Sequence, residues 1–460
     1  MELRTRILFF SKSTNLRRRD FGGITVLTAG DTVTFADHVR LEGTFMVPLS
    51  RALSHSRDSG GVETVDLFGS VPELDKELWV TELGRYASVS RPLVFRTKKP
   101  GYVGAFLELW KVRGEREMHL FFSWSIVQTA ALYANRRLLI NFYGCEDCAD
   151  LYHGAFCLSK AYLLTGNQLF QEYFDELFSE RAMNSARHVV SDTFDAFALQ
   201  LDAWPYRDAN LTAVKDSKAD RDLVLDYFNP HSGRDKRKHA EAAVFNPGDL
   251  DDSLVGNWQS IAPHIADVRH RWAAAEQIEF VEWTVLLPDH VVAVLPHALS
   301  FPSFDESATR FMNQGGLGNH VALALSERFF RSYADSSEAA FSASQYRECA
   351  TNATHFGDSS SAAGLSSVAM RTLALEVSLN AYHAGAPQHR RENLDGFEGY
   401  NATAMFFVAS CYALCGGHDG VLHFTGYECD EAFRNVSGFA EAFACEPGSL
   451  ITPLNRCGLM

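Results

Sequence analysis

No apolar run in this sequence approaches the roughly 20 residues that a membrane helix needs. The apolar stretch Ile7 to Phe10 is also too short for the core of a signal peptide. The chain therefore carries no membrane segment of its own, and is expected either to be cytosolic or to have lost its beginning. Basic charge is equally scarce. With 42 Lys and Arg against 57 Asp and Glu, the formal charge is -15, the wrong sign for a nucleic-acid or anionic-membrane surface. The two short basic runs, Arg17 to Arg19 and Arg234 to Lys238, lie among polar residues and read as solvated loops or helix faces. Nine cysteines in 460 residues are too few for a disulfide scaffold, and their odd number leaves at least one unpaired. Several familiar chemistries are missing too: there is no Gly-x-Ser-x-Gly elbow, no phosphate loop with its Lys, no zinc-ribbon pair of Cys-x-x-Cys motifs and no His-Glu-x-x-His.

What remains is an ordinary globular composition, 46% apolar and 22% charged, long enough for two or three domains. From Tyr102 to about Leu201 apolar residues recur at helical spacing, as in Tyr102-Phe106-Leu109-Trp110 and Phe170-Phe174-Leu177-Phe178. The polar stretch Asn210 to Asp252, with turn signals at Asn229-Pro230 and Asn246-Pro247-Gly248, reads as a linker region with short helices. After Gln277 a β-rich run, Ile278 to Leu287, is followed across Pro288-Asp289 by Val291 to Leu295, which predicts a small sheet. A glycine-rich turn is expected at Asn313-Gln314-Gly315-Gly316-Leu317-Gly318, then an apolar helix from about Asn319 to Tyr333. Further helices are expected at Ser366 to Ala384 and Ala402 to Leu414, with a Ser/Ala-rich loop at Asp358 to Ala363. Four Asn-x-Ser/Thr sites, at Asn210, Asn352, Asn401 and Asn435, would accept glycans in a secreted protein. Cys145-Glu146-Asp147-Cys148 has the spacing of a redox or metal pair, with a local disulfide, or one to Cys157, as the alternatives.

The tail Gly438-Phe439-Ala440-Glu441-Ala442-Phe443-Ala444-Cys445, followed by Glu446-Pro447-Gly448-Ser449, Pro453 and Cys457, resembles the ending of the neprilysin and endothelin-converting-enzyme family of zinc metallopeptidases. Leu394-Asp395-Gly396-Phe397 and Phe406-Phe407-Val408-Ala409 are similar to that family's L-P-G-L segment and its F-F-L-x-F-A-x-x-W-C helix. Leu295-Pro296-His297-Ala298-Leu299 and Asn313-Gln314-Gly315-Gly316-Leu317-Gly318 resemble its F-P-A-G-I-L and N-Y-G-G-I-G stretches. The resemblance spans about Tyr102 to Met460. It implies a mostly α (α+β) fold: a truncated helical lobe over residues 1–205, a linker region over 206–275, and a thermolysin-like zinc-peptidase lobe with a small β-sheet over 276–460. It also implies an extracellular or cell-surface setting and small peptides as substrates. The membrane anchor and several cysteine partners would have stood in a missing front end. Cys349 with Cys457 is the family bridge whose two ends are both present, whereas the pairing of Cys145, Cys148, Cys157, Cys411, Cys415, Cys429 and Cys445 stays open.

Zinc hydrolysis on that fold needs two His one helical turn apart, a Glu beside the first as general base, and a third ligand from another helix. Counting from Asn313, the first ligand position is Leu323, the base position Ala324 and the second ligand position Glu327. The family's third ligand falls at Ser366, and the Asp that would orient a ligand His falls at Met370. The resemblance thus implies zinc for the family while this chain lacks the donors, so no metal or other cofactor is expected. His320, three residues before Leu323, reads as a structural or solvent-facing residue. His423 is similar to the family's transition-state histidine, although the Arg expected after it falls at Cys429. Trp283, with Glu282 where the family has its substrate-binding Asn, is a residual substrate contact or simply a sheet or core residue. The expected function is that of a catalytically inactive homologue that binds small peptides or a protein ligand. The rivals are an active zinc metalloendopeptidase and a structural fragment without a ligand.

Overall fold

A computed structural model describes residues 26–28, 31–33, 35–55, 63–65, 77, 81, 95–97, 100–134, 136–143, 145–202, 221, 224–230, 257, 274–275, 277–279, 282–287, 291–333, 362–385, 395–415 and 427–446. The chain is mostly helical, with small two-stranded sheets, and forms two compact units, Met1–Gly154 and Ala155–Met460. The second unit includes the helical residues 155–202. No described helix is long and apolar enough to cross a membrane.

In the first unit two short antiparallel pairs, β1 (Val26–Thr28) with β2 (Asp31–Val33) and β3 (Glu63–Val65) with β4 (Phe95–Thr97), accompany α1 (Phe35–His55) and α2 (Pro100–Ala134). Phe45 and Leu49 of α1 are buried against Met118 and Phe121 of α2, with the Phe45 and Phe121 rings stacked at 4.8 Å. An exposed ion pair, Arg40 to Glu117 at 2.6 Å, flanks this core. Gly114 breaks α2 with φ +77°, a left-handed conformation that a side chain would resist. α3 (Arg136–Tyr143) follows, and α4 (Glu146–Thr165) carries the chain into the second unit.

The second unit continues through a 3-10 turn, Gly166–Phe170, into α5 (Gln171–Leu177) and α6 (Glu180–Asp202), so the helical reading of Tyr102 to Leu201 agrees with the structure. The predicted sheet is present but shorter than expected. β5 (Thr284–Leu286) pairs antiparallel with β6 (Val292–Val294), while Gln277 to Glu279 is helical. Ile278 is buried in the core from that helical segment, an environment its apolar side chain suits as well as a strand.

The glycine-rich segment is not a turn. α7 (Arg310–Asn313) runs through a π-helical stretch, Gln314–Gly318, into α8 (Asn319–Tyr333), giving an unbroken helical path. Glycine serves here for close approach. A Cβ on Gly315 would stand 2.8 Å from the Phe406 carbonyl oxygen of the neighbouring helix, and one on Gly316 would collide with the Ser303 carbonyl. That same Ser303 oxygen accepts a hydrogen bond from the Leu317 N–H at 2.7 Å. Polar ties hold the stretch in place. Gln314 Nε2 donates to Thr193 Oγ1 of α6 at 2.7 Å, and Ser378 Oγ donates to the Gln314 carbonyl at 2.6 Å. Asn313 and Asp305 exchange two hydrogen bonds, at 2.7 and 3.0 Å.

α9 (Ala362–Ala384), α10 (Ala402–Cys415), α11 (Tyr427–Asn435) and α12 (Ser437–Ala442) complete the unit. Ala362 and Ala363, expected in a loop, open α9, as their high helix propensity permits. One core gathers α6, the β5–β6 hairpin, α8 and part of α9. A second is rich in Phe, with Phe407 meeting Phe433 at 5.3 Å and Phe439 at 5.2 Å. A disulfide between Cys411 and Cys429 joins α10 to α11, a pairing the sequence left open. Because it closes a loop of 18 residues, replacing both cysteines with Ala is expected to cost about 3 kcal/mol, read as a fall in the denaturation midpoint at constant slope. Cys145 is also disulfide-bonded. Cys349 and Cys457, and the tail after Gly448, lie outside the described residues.

Candidate functional site

The helical path from α7 to α8 is continuous. Leu323, Ala324 and Glu327 stand on one α-helix, with 323 and 327 a turn apart on one face. Burial of α8 from Asn319 to Ser326 is nearly complete. Ala324 is only 3% exposed, and Leu323 is half-buried against the main core. Glu327 is half-buried. Across from α8, α9 carries the Ser366 position on its backbone path and places Met370 half-buried against the same core. His423 lies outside the described residues.

Neither Leu323 nor Ala324 offers a lone pair to zinc or a base for water, and Met370 offers only a weak thioether in place of an orienting carboxylate. Among the described residues no three His, Cys, Asp or Glu side chains gather in a group able to hold a metal ion. At the positions that the resemblance assigns to ligand and base, the residues present do not fit a zinc ion.

Different groups occupy this neighbourhood. Trp283, just before β5, is half-buried, with its ring stacked on His320 at 5.2 Å and tilted against His297 at 5.4 Å. His320 is 3% exposed and its Nε2 has no hydrogen-bond partner, so the ring does not face solvent. Burial, the Arg371 charge and the neighbouring His297 push its pKa down to about 3. His297 Nε2 donates to the Glu282 carbonyl oxygen at 2.6 Å. Burial lowers its pKa to about 4 against the opposing effect of that bond. Both rings are thus neutral at pH 7. Burial raises the Glu282 pKa; the Arg371 guanidinium opposes that rise and Glu327 adds to it. Arg371 also walls a small pocket with Leu323, Asn319, Ser410 and Cys429. On α9, Glu376 Oε2 is shielded and unpartnered, and burial pushes its pKa up to about 8.

The structure thus brings the rings of Trp283, His297 and His320 together, with the Glu282 backbone bonded to His297. His297 and Arg371, which interact with His320 and Glu282, were not singled out in the sequence as site residues. Arg371 follows Met370 directly, so the helix that was read for a ligand already pointed to it. Nothing in the pattern around Glu376 marked it.

The sequence matches no family model and no curated protein. Among solved structures, the chain is similar to zinc metalloprotease Zmp1 of Mycobacterium tuberculosis in its open state, with a TM-score of 0.48, 14% identity, and coverage of 99% of this chain and 75% of that one. It is also similar to zinc metalloprotease 1 of the same organism in a partial open state, with a TM-score of 0.46, 16% identity, and coverage of 92% and 75%. Likeness at this level gives no residue of this chain a role.

Proposed function

We propose that this chain is a homologue of the neprilysin-type zinc metallopeptidases that does not hydrolyse peptides and acts instead as a peptide- or protein-binding ectodomain. The observation that carries the reading is the pair Leu323 and Ala324 on α8. The helical path from Asn313 into α8 is unbroken, and the two positions that the resemblance assigns to ligand and base hold aliphatic side chains. A water molecule there has neither a Lewis acid nor a proton acceptor from these positions. The Cys411–Cys429 disulfide supports an oxidising, extracellular or cell-surface setting.

Incubation of the full chain with enkephalin-like peptides tests this. The expected result is no chelator-sensitive cleavage, together with saturable retention of one or more small peptides by the immobilised protein. Cleavage that a chelator abolishes and zinc restores would establish the active-enzyme rival. Absence of both cleavage and retention across a broad peptide set would favour a structural role without a ligand.

A further inference from the structure

Two of the Asn-x-Ser/Thr sites, at Asn401 and Asn435, lie among the described residues, and the fold treats them oppositely. Asn401 is exposed at the N-terminus of α10, where its Oδ1 caps the helix by accepting the Ala404 N–H at 2.8 Å. Its Nδ2 carries two hydrogens and donates one long bond, at 3.4 Å, to the Ala442 carbonyl oxygen. One hydrogen is therefore replaceable while the cap and that bond both persist. The turn before it, closed by the Tyr400 N–H on the Phe397 carbonyl at 2.9 Å, leaves both aromatic side chains exposed, an apolar flank that the C–H face of a sugar covers.

Asn435 ends α11 with 2% of its surface exposed, and Val436 after it has 1%. Phe433 and Val436, on either side of it in the chain, both belong to the Phe-rich core. An oligosaccharide on Asn435 reaches water only by opening that core, which loses apolar burial, and closing over it strips water from sugar hydroxyls.

We propose that in the secretory pathway Asn401 accepts an N-linked oligosaccharide, and that the fold excludes one at Asn435. The inference rests on the extracellular setting proposed above. The donor is a polyprenyl-diphosphate-linked oligosaccharide, which that pathway supplies. Asn401 Nδ2 bonds to the anomeric carbon, the bond from that carbon to the diphosphate oxygen breaks, and the polyprenyl diphosphate leaves as Nδ2 gives up one proton. Thr403 completes the acceptor motif. Transfer takes place on the unfolded chain, so the selection falls to folding: a chain modified at Asn435 does not close its core and is not secreted.

Expression of the full chain behind a secretion leader in eukaryotic cells tests this, with glycan sites mapped by amidase release in heavy-oxygen water. Secreted wild type is expected to carry a glycan on Asn401 and none on Asn435. Asn401→Asp, which keeps the capping oxygen, and Thr403→Val, which keeps Asn401 itself, should each lose one glycan, so either variant suffices if the other fails to fold. Ser437→Ala, which removes the second motif without touching Asn435, should leave the glycan pattern unchanged. An unmodified Asn401 in secreted wild type, or a glycan on Asn435 in secreted chains whose Cys411–Cys429 bridge is closed, would overturn the proposal. Because the leader imposes the compartment, this result is separate from the natural setting. A natural chain with reduced cysteines and no glycan at any site would sink the extracellular reading, whichever way the mapping of the secreted form comes out.

Discussion

Replacing Gly316 with Ala is expected to destabilise the second unit by about 3 kcal/mol or more, or to prevent its folding. The added methyl would collide with the Ser303 backbone carbonyl. That carbonyl cannot swing away freely, because it accepts the Leu317 N–H bond at 2.7 Å. Any relief requires the 300–305 segment and the π-helical stretch to separate, and Asn313 holds them together through its two bonds to Asp305. Gly399→Ala, where the new methyl meets open space, is expected to stay within about 0.5 kcal/mol of wild type. Urea denaturation of the three proteins reads the difference directly. A Gly316→Ala protein as stable as Gly399→Ala would show that the π-helical stretch does not approach the 300–305 segment as described.

Glu376→Gln is expected to stabilise the protein, increasingly so as the pH rises. The Glu376 carboxyl has a folded pKa of about 8, raised by burial, against an ordinary value of 4.5. Below pH 4.5 it is protonated in both states, and the substitution changes little. Between pH 4.5 and about 8 the unfolded chain releases the proton while the folded chain keeps it, so wild type loses stability that the Gln variant retains. The benefit should grow by about 1.4 kcal/mol per pH unit and level off above pH 8, reaching on the order of 3–5 kcal/mol. His320→Phe is expected to carry the opposite signature. A ring whose folded pKa is depressed to about 3 stays neutral while the unfolded chain gains a proton below its ordinary 6.5, so the variant gains on wild type as pH falls. Denaturation of both variants and wild type at pH 5, 6.5 and 8 checks the two trends. Parallel, pH-independent offsets would mean that neither group is held away from its ordinary ionisation.

Helical spacing was the strongest signal in the sequence, and the elements it marked are where the structure puts them: α8 opens at Asn319 and closes at Tyr333 as read, and α10 differs from the reading only by including Cys415. The reading failed at Gln314–Gly318 for a specific reason. Gly-Gly is a turn signal in isolation, yet here the glycines admit neighbouring backbone at a distance that no side chain allows, and the helix passes straight through. The hairpin was legible from β-branched residues, but its length was not, since Ile278 packs equally well from a helix. At the site, the positions Leu323, Ala324 and Glu327 came from a count along the chain. The partners His297 and Arg371 come from other elements, brought there by the packing of the hairpin and α9, and no local pattern encodes such a meeting. The Cys411–Cys429 bridge was illegible for the same reason, because cysteine spacing does not select a partner.

Metal analysis of the purified full chain tests most directly whether α8 presents a zinc site. After incubation with excess zinc and removal of loosely held ions, the chain is expected to retain far less than one zinc per molecule, because positions 323 and 324 supply neither ligand nor base. One zinc per chain, resistant to washing, released by a chelator and lost on substitution of His320 or Glu327, would contradict it.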